Sequence, residues 1–130
     1  MTDMRADEIL TEIHVKPCPA NAGSAYCKLK RKTGDFATAA AAVALEMSGG
    51  VVSSARIALT NVAPTALDAH AAAAALVGQP LTEATLKAAA DAAMAICDPA
   101  EDLRGDIAYK TAMAGEMTKR AIRLAASRCK

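Results

Sequence analysis

From Gly23 onward the side chains alternate, with Ser24, Tyr26, Lys28 and Lys30 pointing one way and Ala25, Cys27, Leu29 and Arg31 the other. That two-residue period predicts a strand with one small apolar face and one face carrying a phenol and two ammonium groups. Thr33-Gly34-Asp35 supplies a turn, because glycine accepts positive φ and aspartate bonds its own backbone. Upstream, Ile9, Thr11, Ile13 and Val15 also fall on one face, against Leu10, Glu12 and His14, and predict another half-buried strand. The prolines at 17 and 19 end it, since each removes a backbone donor. The alanine run from Thr38 to Glu46 sets two signals against each other. Propensity favours a helix. However, Ser48-Gly49-Gly50 is a hairpin signal, and Val51 to Leu59 behind it reads as a strand. The reading adopted is a hairpin in which 37–45 pairs with 51–59.

After Asn61-Val62-Ala63-Pro64 the period becomes helical. Thr65 to Val77 predicts an alanine helix stopped by Gly78 and Pro80. Thr82 is a candidate cap for a second helix reaching about Cys97, with Leu86, Ala90, Ala93 and Ile96 as its stripe. Asp106 is a candidate cap for the last helix, whose stripe is Tyr109, Met113, Met117, Ala121 and Leu124; the methionines read as core. Strands first and helices afterwards predict an α+β two-layer sandwich. It would hold an antiparallel sheet of three to four strands, then three helices packed on one face, in a single domain spanning 1–130.

Composition narrows the function classes. The chain has 130 residues, is 53% hydrophobic and only 2% aromatic, so its core must be built from small side chains that let elements approach closely. Fifteen basic and fourteen acidic residues leave a net charge of +1, which argues against a general nucleic-acid binder. Cys18, Cys27, Cys97 and Cys129 form no CxxC pair, and with His14 and His70 they offer no metal-ligand spacing. Unpaired cysteines, a polar amino terminus without an apolar signal core, and alanine segments broken by charge or proline together predict a soluble, cytoplasmic protein with no membrane span.

Positive signs of independent catalysis are missing. The sequence lacks GxSxG, HExxH and P-loop motifs, and Asp98, Glu101, Asp102 and Asp106 do not follow an EF-hand pattern. Its seven glycines form no GxG, so no dinucleotide-pyrophosphate nest is expected. The Lys28–Lys32 run has a plain alternative, since lysines on a strand keep a sheet edge from aggregating.

Ser24-Ala25-Tyr26 through Lys30-Arg31-Lys32, followed by Gly34-Asp35-Phe36-Ala37, resembles the flavoprotein (medium) subunit of the molybdenum hydroxylases of the xanthine-dehydrogenase family. Within that family the chain looks like aerobic, molybdenum-dependent carbon monoxide dehydrogenase. Asp7 to Ile13, Ala55 to Pro64 and Gly105 to Arg120 resemble other blocks of the same domain, in the same order. The resemblance is to the C-terminal domain and covers essentially the whole chain, and it too places a strand before Gly49-Gly50. It implies a module that covers the isoalloxazine side of FAD, while an N-terminal domain absent from this sequence holds the pyrophosphate on glycine-rich turns. It also implies docking against molybdenum and iron–sulfur subunits, with self-association left open.

Carried over residue by residue, the resemblance makes Tyr26 the aromatic that approaches the isoalloxazine, and Lys28, Arg31 and Asp35 the polar positions beside it. No catalytic or metal residue is implied. FAD is expected only together with the N-terminal domain, and the isolated chain is expected not to catalyse alone. Cys27 and the His14-to-Pro19 segment depart from the commoner family pattern. A stand-alone, non-enzymatic interaction domain derived from that subunit is the competing reading.

Overall fold

A computed structural model describes residues 4–15 and 17–130. Four strands, β1 (Ala22–Leu29), β2 (Ala39–Ser48), β3 (Val51–Thr60) and β4 (Leu67–Asp68), form one antiparallel sheet in sequence order. Three helices follow: α1 (His70–Ala74), α2 (Glu83–Met94) and α3 (Ile107–Ala126). The predicted α+β sandwich is observed.

The alanine run is a strand, not a helix. Gly49 and Gly50 take φ of 58° and 82°, which lets the chain reverse in two residues, and Val43 then faces Ile57 across the hairpin. The β2–β3 register slips at Glu46/Met47, while on the other side of β2 Met47 N–H donates to Asn21 O at 2.9 Å and extends the β1–β2 register by one pair. Ala39, Ala41, Val43 and Leu45 of β2 and Ile57 and Leu59 of β3 point into the core. Against them pack Ala114, Met117, Ala121, Ile122 and Ala125 of α3. These small side chains let the layers close up. At Gly23 the approach leaves no room even for a methyl group, because a Cβ there would stand 2.0 Å from Ala125 O.

The caps behave as predicted. Thr82 accepts from Thr85 N–H at 3.2 Å and Asp106 from Tyr109 N–H at 2.7 Å. Leu86, Ala90 and Ala93 are buried as expected, and Met117 and Ala121 likewise. Ile96 lies beyond the end of α2 and is exposed, as are Tyr109 and Leu124 at the two ends of α3's stripe.

One predicted element does not form and another is cut short. Ile9 to Val15 is no strand: the segment has no ladder partner, and Ile9 and Val15 are 86% and 85% exposed. A period-two pattern needs a neighbouring strand to satisfy its backbone, and none is there. The fourth strand is instead Leu67–Asp68, paired with Leu59 and Ala58 of β3. This pairing consumes the start of the predicted Thr65–Val77 helix, which shrinks to the five residues of α1. A bridge between Val52 and Val77 ends that stretch. With Asp68 in β4, its Oδ2 lies 3.3 Å from His70 Nε2 at the start of α1.

Candidate functional site

The helices cover one face of the sheet and leave the other open. On the open face, Tyr26 of β1, Ala42 of β2, Ala58 of β3 and Asp68 of β4 lie in one cross-strand row, and Ser24, Ala44 and Arg56 in the next. Together with Arg128 they line a shallow depression of about 590 Å³. Its floor is methyl groups, and Tyr26, 55% exposed, forms one wall. The alternation predicted for β1 is therefore correct, and so is the exposure of its phenol. Arg56, Arg128 and Asp68 belong to the same depression although local sequence did not single them out. Only the register of β1–β4 and the return of α3's end to β1 bring them there.

Lys28 stands one cross-strand row beyond Tyr26 on the same face of β1, in register with Ala40 and Thr60. Among the described residues, Lys28, Lys30, Lys32, Arg56 and Arg128 form no ion pair within 4 Å, and Arg128 donates to the backbone oxygen of Ser24. The open face and its β1 edge thus carry several cations without a direct ion-pair partner, with Asp68 the carboxylate in the same depression, although the chain as a whole is nearly neutral.

Arg31 and Asp35 lie elsewhere, in the loop between β1 and β2. Arg31 Nε reaches Asp35 Oδ2 at 3.4 Å, and Arg104 Nη2 reaches Asp35 Oδ1 at 3.3 Å. Burial alone would push the Asp35 carboxyl up. The hydrogen bonds and charge of Arg104, with help from Arg31 and the Phe36 N–H, outweigh it and hold the group below the usual carboxylate range. Arg104 extends the network inward. Its backbone N–H donates to Asp102 Oδ1 at 2.8 Å, and Asp102 in turn pairs with the buried Lys110 ammonium at 2.9 Å. Lys110 also donates to Ala100 O at 2.6 Å. The hydrogen bond from Lys110, then that from the Arg104 N–H, hold the Asp102 carboxyl low as well. This chain of charges anchors the β1–β2 loop to the loop before α3.

Anchoring that loop displays Phe36. Its ring is 78% exposed, with the Arg104 guanidinium carbon 5.8 Å from its centroid. The sequence reading began the second strand at residue 37, directly after Phe36. In the structure β2 begins at Ala39, and Phe36 is an exposed aromatic at the end of the sheet. Of the four predicted site residues, Tyr26 and Lys28 therefore share the open face, while Arg31 and Asp35 form the adjoining loop that carries Phe36.

The arrangement fits one side of a flat, electron-rich ring better than it fits a phosphate. Each of the two long helices already has one N-terminal N–H taken by its own cap, Thr85 N–H by Thr82 and Tyr109 N–H by Asp106. Gly34, Gly49, Gly50 and Gly78 spend their positive φ on turns, with open space around each. A dinucleotide could therefore lay its ring system against this chain, but its pyrophosphate would find no cradle. No group of three or more metal-ligating side chains converges among the described residues, and no helix there is long and apolar enough to cross a membrane.

Fold and site together define an α+β domain with a helix-covered core and an open, basic, aromatic-bearing sheet face. The chain belongs to the CO dehydrogenase flavoprotein C-terminal domain family, whose model matches residues 24–125. It is 56% identical over 129 residues to the carbon monoxide dehydrogenase medium chain of Hydrogenophaga pseudoflava, covering 99% of this chain and 45% of that one. The medium chain from Afipia carboxidovorans strain OM5 is 50% identical over the same coverage. Among solved structures, the H. pseudoflava carbon monoxide dehydrogenase lacking the Mo-pyranopterin moiety of its molybdenum cofactor superposes with a TM-score of 0.91 at 61% identity. That match covers 100% of this chain and 45% of that chain. The chain thus spans a little under half the length of the medium chains it matches.

Proposed function

We propose that this domain closes the isoalloxazine side of an FAD whose pyrophosphate is held by a separate N-terminal domain, within the medium subunit of a carbon monoxide-oxidising molybdenum hydroxylase. The observation that carries the reading is the pairing of exposed aromatics with cations: Tyr26 lines the open face with Arg56, Lys28 stands one row beyond it, and Phe36 lies exposed against Arg104. Large exposed rings are costly to leave in water and are normally covered by a partner. When bound, the flavin supplies the exchange of electrons between an internal redox chain and an external acceptor.

This chain's residues do the positioning. Tyr26 and Phe36 exclude water from the ring's flank, and Lys28 favours negative charge on it. Arg31, Asp35 and Arg104 fix the loop that carries Phe36. The remaining surface docks the domain against the molybdenum and iron–sulfur subunits. The chain alone does not oxidise carbon monoxide.

The test mixes the purified chain with the N-terminal half of the H. pseudoflava medium chain and FAD, then follows flavin absorbance through gel filtration. Flavin is expected to co-elute with both pieces together and with neither this chain alone nor a mixture lacking the N-terminal half. Stoichiometric flavin on the chain alone would overturn the division of labour. Failure of the two pieces to associate would favour the stand-alone interaction domain instead.

A further inference from the structure

The free edge of β1 is closed over its first half by the segment just before it and by the residues that follow α3. Lys130 N–H donates to Ala20 O at 2.8 Å, the Cys18 thiol lies 3.8 Å from Ala22 O, and Arg128 donates to Ser24 O. This meeting brings two cysteines distant in sequence to one corner. The Cys18 thiol contacts Ala22. The Cys129 sulfur lies against the next residue, 3.1 Å from where a Cβ on Gly23 would stand.

Their surroundings differ in a useful way. Cys18 is exposed, in a segment whose nearest anchor is the Ala22 N–H to Pro19 O turn at 3.0 Å. Cys129 is half-buried, 3.6 Å from Ala125 O and 4.0 Å from Leu45 O. Burial, with a smaller contribution from the neighbouring Cys18, raises the Cys129 thiol above its ordinary value. Cys27 and Cys97 have other surroundings: Cys27 sits on the core face of β1, and Cys97 donates to Ala93 O at 3.3 Å beyond α2.

We infer that Cys18 and Cys129 are a peroxide-responsive thiol pair that forms a disulfide between the segment preceding β1 and the end of α3. In the first step the Cys18 sulfur takes one oxygen from hydrogen peroxide, giving a sulfenic acid and one water. In the second, the Cys129 sulfur attacks the Cys18 sulfur; the S–O bond breaks, the S–S bond forms and a second water leaves. Two thiols are oxidised and one peroxide is reduced. The bridge would staple the segment preceding β1 and the end of α3 to the edge of the sheet, independently of any flavin.

The experiment treats the reduced 130-residue chain with stoichiometric hydrogen peroxide, blocks free thiols with iodoacetamide and maps the peptides by mass spectrometry. The expected product is a monomer lighter by two hydrogens, with a Cys18–Cys129 cross-link and Cys27 and Cys97 alkylated. Its thermal midpoint should rise and return on reduction by dithiothreitol. The Cys129→Ser variant should instead stop at the Cys18 sulfenic acid, trapped by dimedone, without the rise. Cys129 fully alkylated after peroxide treatment, a Cys18–Cys18 dimer as the main product, or a cross-link to Cys27 or Cys97 would each overturn the assignment.

Discussion

Asp35 and Arg104 meet at 3.3 Å although 69 residues separate them, and that contact fixes where the β1–β2 loop sits. Both lie in loops, so the pair joins two segments that no strand ladder holds. The Asp35 side chain is 9% exposed and the Arg104 side chain 25%, so the pair is only partly open to solvent screening. The Arg104 Nε is buried without a hydrogen-bond partner, which makes its remaining bonds to Asp35 and Asp102 the ones that hold it.

The first prediction concerns acid. Asp35, Asp102 and Glu116 all have carboxyls held below their ordinary values, Glu116 by hydrogen bonds from Lys119 and then Arg120. A folded-state value below the unfolded one means the stabilisation is complete above the unfolded value and is lost as pH falls through the folded one. With ordinary values of 3.8 for aspartate and 4.5 for glutamate, thermal stability should be level above about pH 5.5 and fall steadily below pH 4.5. Asp35→Asn should flatten that acid limb and lower the midpoint at neutral pH. An unchanged pH profile in the variant would mean that the Arg104 contact contributes nothing in solution.

The buried ammonium of Lys110 gives a second. It is 2% exposed and satisfied by Ala100 O and Asp102. Lys110→Met keeps the aliphatic stem but leaves Ala100 O without its donor. Denaturant unfolding should show a loss of about 1–3 kcal/mol, the usual cost of removing one partner from a buried hydrogen bond. A more stable variant would show that desolvating the ammonium outweighs its bonds.

Two glycines separate hard contact from soft. At Gly23 an added methyl would meet the Ala125 backbone oxygen at 2.0 Å, and backbone in a packed helix cannot step aside. At Gly115 it would meet the Met94 sulfur at 2.8 Å, and methionine can change rotamer. Gly23→Ala should therefore cost about 3 kcal/mol, the upper end for overpacking, and Gly115→Ala about 1 kcal/mol or less. Equal losses in urea unfolding would refute the distinction.

Sequence pattern revealed what local chemistry dictates. Gly49-Gly50 overrode alanine's helix propensity because a two-residue reversal needs positive φ at both positions, and only the hairpin uses it. Thr82 and Asp106 announced their helices because capping is a contact over three residues. What remained hidden depends on partners distant in sequence. Ile9 to Val15 alternates as well as β1 does, but nothing pairs with it. Leu67 and Asp68 carry no strand pattern, but Leu59 and Ala58 do pair with them. The site divides in the same way. Tyr26 and Lys28 followed from alternation alone, whereas Arg56, Asp68 and Arg128 needed the sheet register and the return of α3 to β1. Phe36 was visible as the chain's only phenylalanine, but its exposure results from the Asp35–Arg104 anchor.

The last prediction separates the two exposed rings. Tyr26 packs on the methyl floor of the open sheet face, while Phe36 stands off the end of the sheet against Arg104. Neither belongs to the core, so Tyr26→Ala and Phe36→Ala should each lower the stability of this chain by about 1 kcal/mol or less, as surface changes do. A buried aromatic would instead cost roughly 3–5 kcal/mol, a range that denaturant unfolding resolves easily. In the subunit reconstituted with an N-terminal half and FAD, the same substitutions should act on the flavin. Whichever ring lies against the isoalloxazine should, when removed, shift the flavin absorbance band and speed flavin loss during gel filtration. Lys28→Ala should leave the band nearly in place but lower the reduction potential, because a nearby cation favours the anionic reduced form. A stability loss above 3 kcal/mol for Tyr26→Ala would remove it from the flavin-facing set. A reconstituted subunit indifferent to both ring deletions would leave the open face to a protein partner.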